Sequence, residues 1–545
     1  MVTGILGILL LTMLGMGCLQ TGLFFDHEMY GVAAVTGGLC LAASAVLAVR
    51  PAAEGSKVLA AGDEAGLAAG QAAIRNHPST VIMRSAVMPL LLLSIMMTAA
   101  YGFHLISGPV SVQGTQREMT HWSLCAAAGL TAWRLSRTEG GRSWLRLAWH
   151  GTGAVLCGSA LLAVYGVLEL PDAILRTADP AISAAGARLG GLLQYPNTFG
   201  AVMAAFLLER LFALPGALQR RTGLGREAAA LLPLLPYAAA LLLTESRGAW
   251  LAAALAAAAG LAAERRGAAL LLAAAAAPFA GAALLYRQLA EAQLAPAVLP
   301  GLLWLAGLWA GGSIAGRWLA CGLLRSQPAG AAPPRAHLAP PRVRLASSRA
   351  HLAPPRVRLA SSRVRLAPPR AHLAPPRARL ALLASLLLYA VAAVAIGSQI
   401  HTRLDPQGGT MASRLFMYRD AWQLFQQSPW FGQGGDTWRT YSFLQSQPYA
   451  AAEVHSGYLD WLLNLGLISA AGVALLLWTL CRAVSVSRQA AQWTPLLALL
   501  IHSAVDFDWS YGLVWLIIIL LAANGETSRP SAAQASPDPR SRPPR

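Results

Sequence analysis

The sequence predicts an all-α fold, a polytopic transmembrane helical bundle of about 12–14 spans, and three observations lead there. Of its 545 residues, 56% are hydrophobic. Only 12% are charged, against the roughly 25% that soluble domains carry. Mean hydropathy is +0.50, and apolar runs near the roughly 20 residues that a bilayer crossing needs recur along the chain. That balance excludes an ordinary water-soluble enzyme.

Taken in order, Gly4–Phe25 has no basic segment before it and no convincing cleavage site, so it reads as a retained first helix. Further spans are expected near 31–49, 85–105, 122–136, 147–168, 190–213, 227–243, 247–263, 268–285 and 297–324, then near 380–398, 457–481, 494–505 and 511–525. They divide the chain into amino-terminal helices (1–325), a low-complexity segment (326–379), carboxy-terminal helices (380–526) with a large outer loop over 399–456, and a tail (527–545) rich in Ser, Pro and Arg. That tail reads as disordered. Within the low-complexity segment, Ala336–Arg342 (AHLAPPR) and Val343–Arg349 (VRLASSR) begin a seven-residue tandem repeat. Pro-Pro pairs rule out a continuous coiled-coil helix, and a disordered basic cytoplasmic loop is expected, able to touch anionic headgroups.

The net charge of +18 does not describe a nucleic-acid surface, because eleven arginines lie between Arg335 and Arg379 and most of the others flank apolar runs. With the amino terminus in the cytoplasm, all but nine of the 42 basic residues fall on cytoplasmic segments, as the positive-inside rule requires. Those nine, among them Arg188, Arg247 and Arg414, fall outside. The six cysteines lie in or beside apolar runs without a CxxC pair, so they read as small buried hydrophobes, neither a disulfide framework nor a zinc site.

Polar groups at the lip of a membrane are costly and are therefore candidates for function. Three groups fall on the outer side. In Arg188–Gly200, the Tyr195-Pro196-Asn197 turn at the head of an apolar run offers a helix N-terminus for an anion, or simply a start capped by Asn197. In Thr244–Trp250, a short hairpin holds Arg247 near headgroup depth, where it can grip a phosphate, snorkel, or pair with Glu245. In the large loop, Arg414, Tyr418 and Trp422 recur at helical spacing on one face of an amphipathic helix. Trp430 follows beside turn-forming Pro429 and glycines, and His455 stands where the chain re-enters the bilayer, a residue type that titrates near neutral pH. Two acidic groups invite a metal reading, Asp26-His27-Glu28 and Asp506-Phe507-Asp508. Neither has strong ligand spacing, and no HExxH, P-loop or nucleophile elbow occurs.

Together these groups resemble the O-antigen ligase family of polytopic glycosyltransferases, which includes polysaccharide polymerases and protein O-oligosaccharyltransferases. The likeness lies in GGLLQYPNTFGAVMA (190–204), LLLTESRGAWLAA (241–253) and the run from Ser413 to Leu467 ending in HSGYLDWLLNLGL, in the same order and on the same side. The sequence departs in placing Ser456 after the histidine, where Asn is more usual, and in carrying the repeat insert. The resemblance implies a multi-pass enzyme of the cytoplasmic membrane. It implies transfer of a glycan from a polyprenyl-pyrophosphate carrier to a hydroxyl on a lipid, glycan or protein acceptor, without a metal or other cofactor. Arg247 and Arg414, with Arg188 as a weaker third, would bind the diphosphate. His455 would be the general base of an inverting attack. Tyr195, Asn197, Tyr418 and Trp422, with Trp430, would line the substrate path. Two rivals are a lipid-linked oligosaccharide flippase, for which repeated halves are wanting, and a metal-dependent glycosyltransferase using Asp26 and Glu28.

Overall fold

The computed structural model describes residues 2–38, 85–219, 227, 230–265, 267–324, 376–400, 410–442, 451–487 and 489–527. The repeat segment up to residue 375, the second half of the span expected at 31–49 and the tail from 528 lie outside these residues. The helices are α1 (Val2–Leu19), α2 (Asp26–Val32), α3 (Met88–Ser107), α4 (Val112–Ser136) and α5 (Glu139–Val164), followed by a hairpin of β1 (Ile174–Arg176) and β2 (Ala187–Leu189). Next come α6 (Pro196–Gln219), α7 (Leu234–Leu243), α8 (Arg247–Ala263), α9 (Ala268–Glu291), α10 (Val298–Leu324) and α11 (Pro376–Ile400). The carboxy-terminal part adds α12 (Thr410–Phe425), α13 (Thr437–Ser442), α14 (Gly457–Leu465), α15 (Ser469–Ser487), α16 (Ala490–His502) and α17 (Gly512–Thr527). Among the described residues, eight helical segments are long and apolar enough to cross a membrane, and three shorter apolar helices accompany them. The protein is thus an all-α polytopic membrane protein, as its hydropathy predicts.

Two elements differ instructively from expectation. The span expected at 122–136 begins ten residues earlier, because Ser111 accepts the Gly114 N–H at 3.0 Å and caps α4. Its added turns carry Arg117, only 2% exposed, beside Asp436 (3.3 Å), Glu118 (3.5 Å) and Asp26 (3.7 Å). A hydropathy window rejects those charges; the folded chain offsets them with one another. The span expected at 457–481 is instead broken at Gly466, where φ is +58°. There the chain crosses Gly432 (φ +73°), and the Gln433 and Gly434 N–H groups donate to the Leu463 and Asn464 carbonyls at 3.0 Å each. A Cβ on either glycine would strike the opposing backbone. Residues 432–434 are thereby stitched to the helix that carries Leu463 and Asn464.

The core that positions the site lies where α16 packs among α6, α8, α15 and α17. Trp122, Trp461, Trp509 and Trp515 meet with ring centroids 4.2–5.7 Å apart, joining α4, α14 and α17 beneath the 503–511 turn. The β1–β2 hairpin is antiparallel, with Leu175 opposite Arg188, and holds Arg188 over the start of α6.

Candidate functional site

At one end of the bundle, side chains from three separated segments converge on Asp506, a carboxylate only 1% exposed in the turn between α16 and α17. Tyr195 donates its hydroxyl to Asp506 Oδ1 at 2.9 Å, and the Asn197 amide donates to Oδ2 at 2.7 Å. Arg414 Nη2 reaches Oδ2 at 3.2 Å, and the Phe507 N–H donates to Oδ1 at 3.0 Å. His455 Nδ1 faces Oδ1 at 3.3 Å. A buried carboxylate survives only when its lone pairs are occupied and its charge is answered. Burial opposes ionisation here, but the hydrogen bond and charge of His455, with His502 and Arg414 behind, outweigh it and hold Asp506 below the usual carboxylate range. Burial and the Asp506 charge push the Tyr195 hydroxyl up, so it remains a donor.

The surroundings fix these groups. Arg188, itself buried, donates Nε to the Thr244 carbonyl (2.7 Å) and Nη2 to Asn197 Oδ1 (2.5 Å). Asn197 is therefore oriented by its two neighbours, with its oxygen toward the guanidinium and its nitrogen toward the carboxylate. It lies inside α6 and acts across the fold, rather than capping the helix start. Arg414 also donates Nη1 to the Val505 carbonyl at 2.8 Å. Tyr418 donates its hydroxyl to the His455 carbonyl at 2.5 Å, and the Gly457 N–H bonds the Ser503 and Asp506 carbonyls. Ser456 caps α14, its hydroxyl accepting the Leu459 N–H at 3.4 Å. Ser and Asn cap helices about equally well, so a serine after the histidine does not disturb the re-entry.

Arg247, exposed, opens α8, which is capped by Ser246. The next residue, Gly248, packs its backbone on the His502 ring. His502 faces Asp508 Oδ2 at 2.6 Å, and Asp508 also accepts from Thr198 (2.9 Å) and Ser503 (3.2 Å). This second, fully buried His–Asp pair sits directly behind the first. Glu245, at φ +47°, accepts from Ser183 (2.9 Å), the Ala184 N–H (2.8 Å) and Tyr286 (3.0 Å), pinning the hairpin that precedes Arg247. Phe507 stacks on Tyr195 (4.6 Å) and meets the His455 ring edge-on (5.1 Å), while Phe24 stacks on Tyr511 (4.8 Å). Trp422 and Trp430 are exposed.

The fold thus joins Arg188, Tyr195, Asn197, Arg414, Tyr418 and His455 into one network, with Arg247 and Trp422 on flanking elements. Sequence reasoning underrated Asp506, weighing it only as half of a weak metal pair. Its proximity to His502 and Asp508 on one short turn was the available signal, but its partners lie as many as 311 positions away. What the network can do follows from its chemistry. A carboxylate acceptor at Nδ1 favours the tautomer with its proton on that nitrogen, and the other ring nitrogen, Nε2, is then the basic one. Among the described residues no group of three or more His, Cys, Asp or Glu side chains is arranged to hold a metal ion. Asp26 is engaged by Gln113 (3.0 Å) and Arg117, and Glu28 accepts the Phe25 N–H at 3.4 Å.

Compared with known families, residues 359–477 match the model described as O-antigen ligase. The matched stretch begins inside the repeat, includes Arg414, Tyr418, Trp422 and His455, and ends within α15. No curated protein and no solved structure matches the chain.

Proposed function

We propose that the chain, whose residues 359–477 match the O-antigen ligase model, acts as a member of that family and transfers a glycan from a polyprenyl-pyrophosphate carrier to an acceptor hydroxyl at the outer face of the cytoplasmic membrane. The observation that carries this reading is the convergence of His455, Arg414, Tyr195 and Asn197 on one buried carboxylate. Arginine positions fall on the side that the positive-inside pattern leaves poor in basic groups.

In this mechanism His455 Nε2 takes the acceptor's proton as its oxygen attacks the anomeric carbon. The carbon–oxygen bond to phosphate breaks on the opposite side, giving inversion and releasing polyprenyl diphosphate. Asp506 keeps the imidazole oriented and stabilises the imidazolium that forms, a positioning role like that of the carboxylate in a catalytic triad. Arg247 and Arg414 stabilise the charge growing on the diphosphate without reorganising. Arg188 contributes chiefly by holding Asn197, and Tyr195, Tyr418 and Trp422 line the approach. An apolar cavity of about 690 Å³ between α5, α7 and α10, bordered by Tyr165, Tyr237, Leu302 and Trp309, offers room for an isoprenoid tail.

The test is transfer by the purified chain in detergent with a lipid-linked glycan donor. His455→Ala should lower turnover about 10²–10⁴-fold, and a chelator should leave turnover unchanged. Near-normal transfer by His455→Ala would remove the base assignment. Surface-glycan mass analysis of a deletion strain separates the acceptors: shortened polymer means polymerase, and intact polymer with an unmodified acceptor means ligase.

A further inference from the structure

A second polar cavity lies beside this network and plays no part in the chemistry above. It has a volume of about 350 Å³ and is lined by Asp26, Ser111, Gln113, Asp436, Arg439 and Thr440, within the range of about 300–1,000 Å³ seen for small-molecule sites. Behind its Asp26 and Asp436 walls lies Arg117, 2% exposed. The Arg117 Nη1 atom lies 3.3 Å from Asp436 and 3.7 Å from Asp26, both of them cavity walls, yet completes a hydrogen bond with neither.

Two links tie the cavity to the network. Arg439 pairs with Glu453, whose second oxygen accepts from Ser510 at 3.3 Å. Glu453 stands two residues before His455, a chain distance of at most about 7 Å. At the other edge, Asp26 follows Phe24 and Phe25, and Phe24 stacks on Tyr511 at 4.8 Å in the aromatic group that continues through Phe507 to Tyr195. Carboxylate, amide, guanidinium and hydroxyl groups that can donate and accept several hydrogen bonds at once suit the hydroxyls of a sugar. Two carboxylates against one guanidinium in the lining disfavour an anionic one.

We propose that this cavity is a sugar subsite, which holds a neutral or amino sugar of the glycan at a position removed from the bond being made. The proposal rests on the transfer reading, and names which glycans the site accepts. Whether that sugar belongs to donor or acceptor is read by varying one at saturating levels of the other.

The experiment compares the full-length protein with Gln113→Ala and with Thr440→Trp, the latter chosen to fill the cavity from an exposed position. In transfer assays the KM for an extended glycan should rise about fivefold in Gln113→Ala, the scale of one neutral hydrogen bond lost, and at least as much in Thr440→Trp, with kcat unchanged. The KM for a single-sugar substrate should not move. In saturation-transfer NMR, trisaccharides of glucose, galactose or N-acetylglucosamine should give a signal that Thr440→Trp abolishes, and trigalacturonate should give a weaker one. Unchanged KM values for extended glycans in both variants would overturn the subsite while leaving the transfer reading intact. A protein that binds trisaccharides through this cavity but transfers nothing would sink the transfer reading and keep the subsite. A stronger signal from trigalacturonate would overturn the charge argument.

Discussion

At the scale of single residues, Asp506 decides most. Replacing it by Asn keeps the shape but removes the charge that answers Arg414 and His455. Turnover of Asp506→Asn should fall about 10²–10⁴-fold, with substrate binding less affected, since an amide stabilises neither the required tautomer nor the imidazolium. Steady-state kinetics on the purified variant checks this. The sign of its pH dependence follows from its lowered value. A carboxyl held below its ordinary 3.8 in the folded state contributes stability that is present above that value and lost as pH falls through the lower, folded-state value. Thermal melts of wild type should therefore carry no Asp506 contribution to pH dependence between about pH 5 and 8, and acid destabilisation below pH 4 should shrink in Asp506→Asn. Arg247 supplies the contrasting case of an exposed cation. If it grips a diphosphate as a fork, Arg247→Lys should still lose on the order of 10²-fold in kcat, because a point charge does not replace two parallel donors. Full activity in that variant would reassign Arg247 to anchoring.

Among elements, the entry from the segment before His455 into α14 is tightly constrained. Ser456→Ala removes the cap and should cost about 0.5–2 kcal/mol, visible as a lower melting temperature, whereas Ser456→Asn should restore it. Gly466→Ala should cost more than a cap, since its left-handed backbone sits against the Trp430–Gly432 chain and any Cβ collides there. The apolar run 457–481 does fall within a candidate span, Gly457–Ser485, but the break inside it was not legible: composition reports an apolar length, while a kink is fixed by a distant partner. Conversely, the short α7–α8 hairpin was legible, because Thr244–Arg247 between two apolar stretches leaves little chain for anything but a tight turn.

For the whole molecule, the proposed orientation rests on basic residues sorting by side regardless of packing. Reporter fusions after residues 330 and 440 should fall on opposite faces of the membrane, and agreement between them would undo the placement of the site. The members of the site were readable where residue type and spacing spoke locally, as for Arg414, Tyr418 and His455. Asp506 was not, because its meaning depends on Tyr195 and Asn197, which the chain reaches only by folding back across the bundle.

That arrangement has a consequence for biosynthesis. The nascent chain makes Arg188, Tyr195 and Asn197 early and Arg414 and His455 much later, and the carboxylate that collects them comes later still, in the turn before the last described helix. Until that turn has been made the network cannot close, so a gene truncated shortly before this point should yield a membrane-embedded chain without the transfer activity proposed above.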